Sequence, residues 1–294
     1  MSLKTIGILS PGEMGQVMGK VLKENGLRVV AALADRSART RGLAADAGIE
    51  DVGGMADLMR ESDMVLSVLV PSAAVETARA AAKAMEATGA RPIYVDCNAI
   101  SPDSTRQAGE VITAAGARFV DASIIGPPPR KRELTRFYAS GTDAGEFARL
   151  SEYGLDVRVL GDEIGQASGI KMCYAGLTKG LAGLAAHLLI VAERQGLSEP
   201  LRAEFETSQK VLLDYLSRSM LTMPPKAHRW IGEMHEIAAT YEQYGMTPKI
   251  FEGEADVFSY IARTRVGRET PEERDTSRDL WDVIRILAEQ PPGE

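Results

Sequence analysis

Cysteine, histidine and basic charge are what this 294-residue chain has least of. Its two cysteines, Cys97 and Cys173, cannot build a disulfide framework. Stability must then come from an apolar core, and a reducing cytoplasm is the expected setting. Three histidines and two cysteines stand at no metal-ligand spacing, so no metal site is expected. Lys and Arg number 34 against 41 Asp and Glu, a formal charge of −7 that argues against a nucleic-acid binder. The opening MSLKTIGILS lacks the basic, apolar and small-residue succession of a signal peptide. The most apolar stretch, Gly180–Ala192, is 13 residues between Lys179 and Glu193. That is too short to span a bilayer and reads as a buried helix, so no membrane association is expected. No internal repeat or low-complexity segment occurs.

What is present is an ordinary globular composition, 45% hydrophobic and 26% charged, which supports a sizeable core in one or two domains. The first half alternates short apolar runs with helical patterns. Thr5–Leu9, Arg28–Leu33, Met64–Val70 and Pro92–Cys97 read as strands, with Arg118–Asp121 and Phe137–Ser140 as further candidates. Between them, Glu13–Asn25, Ala38–Ala47, Ala73–Thr88 and Pro102–Ala115 have helical spacing, and glycines stand at several of their ends. Strand–helix alternation implies βαβ units and a doubly wound, mostly parallel sheet. Strand signals stop near residue 165. Helices are expected over Ser168–Gln195, Pro200–Met220, Lys226–Tyr244, Thr247–Thr264 and Pro271–Glu289, with a frayed tail at Gln290–Glu294. The chain thus divides into an α/β dinucleotide-binding domain, residues 1–164, and an all-helical domain, residues 165–294.

The segment Ser10-Pro11-Gly12-Glu13-Met14-Gly15 joins the first strand to the first helix. A dinucleotide pyrophosphate binds at such a junction because backbone N–H groups and the helix dipole favour an anion and small residues allow close approach. Serine replaces the first glycine of the G-x-G-x-x-G pattern. Asp35, twenty residues after Gly15, suits the ribose hydroxyls of NAD. Arg36, Ser37, Arg39 and Arg41 beside it suit the 2′-phosphate of NADP, since arginine is a planar, bidentate phosphate partner. NADP is favoured and NAD is the alternative.

These residues, with Val70-Pro71, Asp96-Cys97-Asn98-Ala99-Ile100-Ser101-Pro102, Asp121-Ala122-Ser123 and Gly165 through Lys171, occur in the order of the β-hydroxyacid dehydrogenases. The chain resembles that superfamily, which includes 3-hydroxyisobutyrate and 6-phosphogluconate dehydrogenases, over roughly residues 4–195. Met223–Lys226, Trp230, Gly232–Met234 and Phe251–Gly253 resemble a phosphogluconate dehydrogenase-like branch with its own helical C-terminal domain. The resemblance implies a Rossmann fold, a nicotinamide cofactor and a proton-relaying lysine on the interdomain helix. Lys171, six residues after Gly165, matches that lysine. Asn98, Val70 and Pro71 are then cofactor-facing, and Ser123, Asn98 and Tyr174 are substrate candidates. By pattern alone, Lys171 is either a snorkelling surface lysine or one facing a cleft. Asn98 and Ser123 equally suit turn or cap roles, and Tyr174 suits a buried tyrosine with a local partner.

The resemblance is incomplete. A family glycine is Ala167, a substrate-binding asparagine is Ala175, and the family substrate loop has Ile125 for serine and Pro127 for glycine. A family lysine of the last active-site helix falls on Glu233. These changes remove carboxylate-binding groups and point away from a small 3-hydroxy acid or 6-phosphogluconate, toward a more apolar substrate. Pro127-Pro128-Pro129 followed by Arg130-Lys131-Arg132 reads as a stiff turn with a solvated basic run. Trp230, Met234 and Phe251 suit helix core or a dimer interface. Gly176, Gly180 and Gly183 thin the long helix for close packing, expected against a partner subunit in a homodimer. The expected function is therefore an NAD(P)-dependent dehydrogenase or reductase acting on CH–OH or C=O groups. The alternatives are an imine reductase-like enzyme and a catalytically inactive nucleotide-binding sensor.

Overall fold

The computed structural model describes residues 3–270 and 273–289. The chain forms two compact units that divide between Met172 and Cys173. The composition shift had placed this boundary at 164/165. The difference arises because the first turns of the long helix are bonded to the sheet.

The sheet unit runs β1 (Thr5–Leu9), α1 (Glu13–Glu24), β2 (Arg28–Ala31), α2 (Ala38–Asp46), β3 (Glu50–Asp51), α3 (Met55–Glu61), β4 (Met64–Ser67), α4 (Ala74–Thr88), β5 (Ile93–Asp96), α5 (Pro102–Ala114), β6 (Phe119–Ile125), β7 (Arg136–Ser140), α6 (Ala144–Ala148) and β8 (Val157–Gly161). The strands lie in the order β3-β2-β1-β4-β5-β6-β7-β8. All neighbours are parallel except β6 and β7. Successive residues of each strand enter opposite faces, and both faces are apolar. Ile6, Ile8, Met64, Leu66, Ile93, Val95, Val120, Ala122 and Ile124 fill one core, while Leu9, Val65, Tyr94 and Phe119 belong to the other. Near-continuous apolar strands are what a parallel sheet covered on both sides requires. The winding reverses between β1 and β4, which opens a crevice at their carboxyl ends.

Four elements carried no readable pattern. β3 is two polar residues, β8 is a partly exposed edge strand, and α3 and α6 are too short for a helical repeat to register. The turn from β6 into β7 demands glycine: Gly126 has φ +127° and a Cβ there would lie 2.2 Å from the Leu134 carbonyl oxygen. Thr135 Oγ1 closes that turn onto the Pro127 carbonyl at 2.6 Å.

α7 (Gln166–Arg194) begins on the sheet. Asp121 of β6 receives the backbone N–H groups of Gly165, Ala167 and Ser168 at 2.8, 3.1 and 3.1 Å on Oδ2. The Ser140 hydroxyl donates to the same oxygen at 2.9 Å, and Ser168 Oγ donates to Oδ1 at 2.6 Å. A helix start leaves N–H groups without intrahelical partners, and an acid there also meets the positive end of the helix dipole. α7 is 29 residues long, with a window of mean hydropathy 1.5, so by length and composition it could cross a membrane. Half of that window is buried within the protein, which suits a core helix equally.

The helical unit comprises the rest of α7 with α8 (Ser198–Ser208), α9 (Lys210–Thr222), α10 (Ala227–Gln243), α11 (Lys249–Arg263) and α12 (Leu280–Ala288). The single helix expected over Pro200–Met220 is two, broken at Gln209 (φ −135°, ψ 30°). Thr207 and Ser208 precede the break and bond back to the carbonyls of Ala203 and Glu204, a habit that weakens helix interiors. The last helix starts later than expected. Ser277 folds onto Asp275, and Asp279 caps α12 reciprocally with Asp282. Pro271 and the tail 290–294 lie outside the described residues.

α10 and α11 form an antiparallel hairpin, with Trp230 edge-on to Phe258 at 5.2 Å and Tyr241 against Phe251 at 4.7 Å. The glycines of α7 face this hairpin. A Cβ at Gly176 would meet Tyr241 Oη at 3.2 Å and Phe251 Cζ at 3.3 Å, and at Gly183 it would overlap the Glu254 carboxyl. Glu233 pairs with Lys179, whose amine lies 5.1 Å from the centre of the Trp230 ring. Glu254 is buried with Oε2 unpartnered, and burial pushes its pKa up to about 7. A buried acid whose pKa is raised costs folding stability as pH rises from its ordinary range through 7. Glu254→Gln is therefore expected to raise Tm at pH 8 and to change it little at pH 5, read by calorimetry. Asp121→Ala is expected to cost about 3 kcal/mol or more, because it strands several buried donors; urea unfolding measures this.

Candidate active site

The loop after β1 turns through Ser10, which adopts φ +63°, the one positive φ outside glycine among the described residues. This is the position where the dinucleotide motif carries its first glycine. Serine makes the same left-handed turn at a cost of about 1–2 kcal/mol. Gly12 N donates to Ser10 O at 2.7 Å, and Gly12 caps α1 with no side-chain bond. Gly15 packs so close that a Cβ would lie 2.9 Å from Ser10 O. A small-residue cradle at a helix start, with no side chain capping it, fits a pyrophosphate, which would sit against Ser10, Pro11, Gly12, Glu13, Met14 and Gly15.

At the end of β2, Asp35 is exposed and Arg36 half-buried. Ser37 caps α2, accepting from Thr40 N at 3.2 Å. Arg39 and Arg41 are exposed on the first turn of that helix. After β4, Val70 is exposed and Pro71 opens a short 3-10 turn.

Asn98 is buried and its side chain is committed to the loops. Oδ1 accepts from Leu69 N, and Nδ2 donates to Ser67 Oγ and Asp96 Oδ2, both at 3.0 Å. Asn98 thus ties the loop after β5 to the one after β4, the turn role weighed against ligand contact. Asp96, its neighbour, pairs in register with Asp121. Burial pushes Asp96 up to about 7, against the lowering effect of its Asn98 hydrogen bonds.

Lys171 lies on the second turn of α7. Its Nζ donates to the Ile124 carbonyl at 2.6 Å, at the end of β6. Burial alone lowers the amine to about 8, although the residue as a whole stays partly exposed. Ser123, one residue before that carbonyl, is fully buried and its hydroxyl has no partner. An orphaned buried hydroxyl is expensive, and this one stands next in sequence to the residue whose carbonyl anchors Lys171. Tyr174 is 45% exposed and lines a groove of the helical unit with Leu177 and Val211.

The carboxyl ends of five adjacent strands thus carry Asp35–Ser37 (β2), Ser10–Gly15 (β1), Val70-Pro71 (β4), Asn98 (β5) and Ser123 with the Lys171 anchor (β6). Sequence reasoning missed the Ile124 carbonyl and the helix-capping role of Asp121. A backbone oxygen has no residue signature. Asp121 was visible only as an acid near a strand end.

Sheet order and loop together define the class, a dinucleotide-binding α/β protein with a helical second unit. Residues 5–153 match the NAD binding domain of 6-phosphogluconate dehydrogenase, and residues 192–261 match a domain of unknown function. The chain belongs to the β-hydroxyacid dehydrogenase superfamily and is an NAD(P)-dependent oxidoreductase. It is 31% identical to a conserved protein of unknown function described as structurally similar to 3-hydroxyacid dehydrogenases. That match covers 88% of this chain and 96% of the other, with a TM-score of 0.66. An uncharacterised protein of Methanothermus fervidus is 27% identical over 87% of this chain and 98% of its own length. Mitochondrial 3-hydroxyisobutyrate dehydrogenase of Drosophila melanogaster is 33% identical over 48% of this chain and 43% of its own length. An imine reductase of Streptomyces aurantiacus, 16% identical, shares the fold over 92% of this chain and 98% of its own, with a TM-score of 0.56.

Ser10→Gly is expected to stabilise the protein by about 1 kcal/mol by removing the left-handed strain. Gly15→Ala is expected to destabilise it by about 1–3 kcal/mol through the clash with Ser10 O, and to weaken dinucleotide binding. Urea unfolding and fluorescence titration with NADPH check these.

Proposed function

We propose that the protein catalyses reversible oxidation of an alcohol to a carbonyl with NADP, using Lys171 as the proton-transfer residue. The observation that carries this is the Lys171 amine, held by the Ile124 carbonyl and lowered to about 8 by burial. The nicotinamide ring, when bound, supplies the hydride exchange. The chain's part is to bind, orient and move one proton.

An ammonium has three donors. One is spent on Ile124 O, which fixes the side chain and leaves two for a substrate oxygen. With its pKa near 8, the amine is present in both forms close to neutrality, the condition for efficient acid–base catalysis in either direction. The neutral amine takes a proton from a hydroxyl during oxidation, and the ammonium gives one to a carbonyl oxygen during reduction. The buried Ser123 hydroxyl is the second group for that oxygen. Asn98 acts by bracing the two loops that its side-chain amide joins.

Arg36, with Arg39 and Arg41 beyond it, supports NADP over NAD, because guanidinium groups pair with a 2′-phosphate. Asp35 supplies the alternative, a bond to a free ribose hydroxyl. Ile125 and Pro127 support a substrate with an apolar group where a carboxylate would otherwise sit.

Lys171→Met is expected to lower turnover by about 10²–10⁴-fold while leaving NADPH affinity nearly unchanged. It is also expected to raise Tm at pH 7. The sign follows from the lowered pKa: burying the charged amine costs stability below about pH 8, and the cost fades as pH rises toward 10.5. The wild-type rate of carbonyl reduction is expected to fall above about pH 8, and alcohol oxidation to rise. Steady-state kinetics on a panel of aldehydes, ketones and cyclic imines, with NADPH and NADH, test this. Unchanged turnover in Lys171→Met removes the mechanism. Activity confined to imines assigns the alternative reaction, and tight NADPH binding with no turnover assigns a sensor.

A further inference from the structure

A half-buried cation, Arg136, stands across from the end of β6 without an acid to balance it. β6 and β7 run antiparallel, with Asp121 opposite Ser140, Ser123 opposite Tyr138 and Ile125 opposite Arg136. Directly opposite residues of such a pair share a face, and so do residues two apart on one strand. The bonds of Asp121 and Ser140 to the start of α7 identify that face. The intervening Ile124, Phe137 and Ala139 belong to the core on the other side. Ser123, Ile125 and Arg136 therefore stand on the side of α7, at the strand end where the Ile124 carbonyl holds Lys171. No carboxylate pairs with Arg136 among the described residues. Arginines elsewhere find an acid even where they are exposed, as Arg28 does with Glu50 and Glu61, Arg118 with Asp143 and Arg158 with Asp156. Taking a guanidinium part-way out of water with no acid beside it costs stability, and in a chain of net charge −7 acids are not scarce. The loop leading into Arg136 adds Arg130, Lys131 and Arg132, all exposed, with Glu133 as its one acid.

Taking Lys171 to serve the reacting oxygen, as the proposed function has it, we propose that Arg136 binds an oxyanion, carboxylate or phosphate, at the far end of the substrate. The substrate class is then an alcohol or carbonyl compound whose anionic group is separated from the reacting carbon by an apolar segment. At the end of β6 itself an anion finds little: the Ile125 side chain has no donor, and Pro127 has no N–H. A strand advances about 3.4 Å per residue, so the same-face step from Ser123 to Ile125 covers about 7 Å. Over that step the substrate crosses the Ile125 side chain, which is buried and apolar. An apolar segment over Ile125 and an anion on Arg136 are two parts of one molecule. The guanidinium supplies parallel donors that fit either oxyanion. Arg130, Lys131 and Arg132 give the approach a positive field, which speeds the arrival of an anion.

NADPH oxidation with 5-oxopentanoate, 4-oxobutyl phosphate and pentanal tests this. Wild type is expected to show a kcat/KM about 10- to 100-fold higher for at least one anionic aldehyde than for pentanal, the range of a charged hydrogen-bonded pair. Whichever anionic aldehyde is preferred distinguishes carboxylate from phosphate. Arg136→Gln is expected to erase the preference, with the loss in the KM of the anionic aldehyde and not in kcat. Arg136→Lys is expected to restore part of it, as a point charge without the paired donors. Calorimetric titration of the NADPH-bound protein with pentanoate and with pentyl phosphate reads binding without turnover. At least one is expected to bind wild type, and to bind Arg136→Gln about 10-fold or more weakly. Anion binding that depends on Arg136, with no aldehyde turned over, keeps this assignment and removes the proton-transfer reading. Pentanal reduced as well as the anionic aldehydes overturns the assignment and leaves that reading standing. A preference that survives Arg136→Gln, or failure of both anions to bind, also overturns it. Equal losses on all three aldehydes, with a lowered Tm, assign Arg136 to structure and overturn it as well.

Discussion

The carboxyl group of Asp121 is the joint on which the functional arrangement depends. It sits on the fully buried strand β6 and takes three backbone N–H groups and two hydroxyls around the start of α7. The first turn of α7 is therefore registered against the sheet by hydrogen bonds instead of by apolar contact, which is directional where apolar packing is not. Lys171 stands on the next turn, and its amine reaches the carbonyl of Ile124, three residues along the same strand. One strand thus fixes both the helix and the side chain projecting from it. Thr105 Oγ1, 2.7 Å from Ser168 Oγ, adds α5 to the same joint.

The carboxyl edge of the sheet shows a division of labour. Backbone conformation shapes the pyrophosphate loop, through Ser10 and the crowding at Gly15. Side-chain hydrogen bonds brace the next loops, through Asn98 and Asp96. At β6 the sheet offers an unsatisfied hydroxyl and an amine whose charge is already disfavoured. The unpartnered Ser123 hydroxyl stands where chemistry is proposed, while Asn98 in the neighbouring loop has its side-chain amide hydrogen-bonded. Functional groups are commonly the ones that break the rule of satisfied burial.

The chain's sequence was most readable where a repeat was long. β1, β4, β5 and the helices between them followed from apolar periodicity, and Ser10–Gly15 followed from its place between a strand and a helix. β3 and α3 are too short to establish a period, and β8 is an exposed edge strand without a buried face. The break at Gln209 depends on hydroxyls bonding back to the helix, which a count of apolar positions does not see. Within the site, residue types were legible but their partners were not. Asn98 was visible as a polar residue after a strand, yet only the fold shows its amide used up by Ser67 and Asp96. The glycines of α7 announced close packing correctly, but nothing in their spacing tells which neighbour arrives; here it is the α10–α11 hairpin.

The placement of the two thiols has a practical consequence. Cys97 is buried behind the β5 loop, and burial holds it well above the usual thiol range, so it resists alkylation. Cys173 is exposed, two residues after Lys171 and at the point where the chain passes from one unit to the other. A maleimide dye will therefore label the native protein at one position, on the helix shared by both units. A fluorophore attached there reports on the surroundings of that junction without any engineered cysteine.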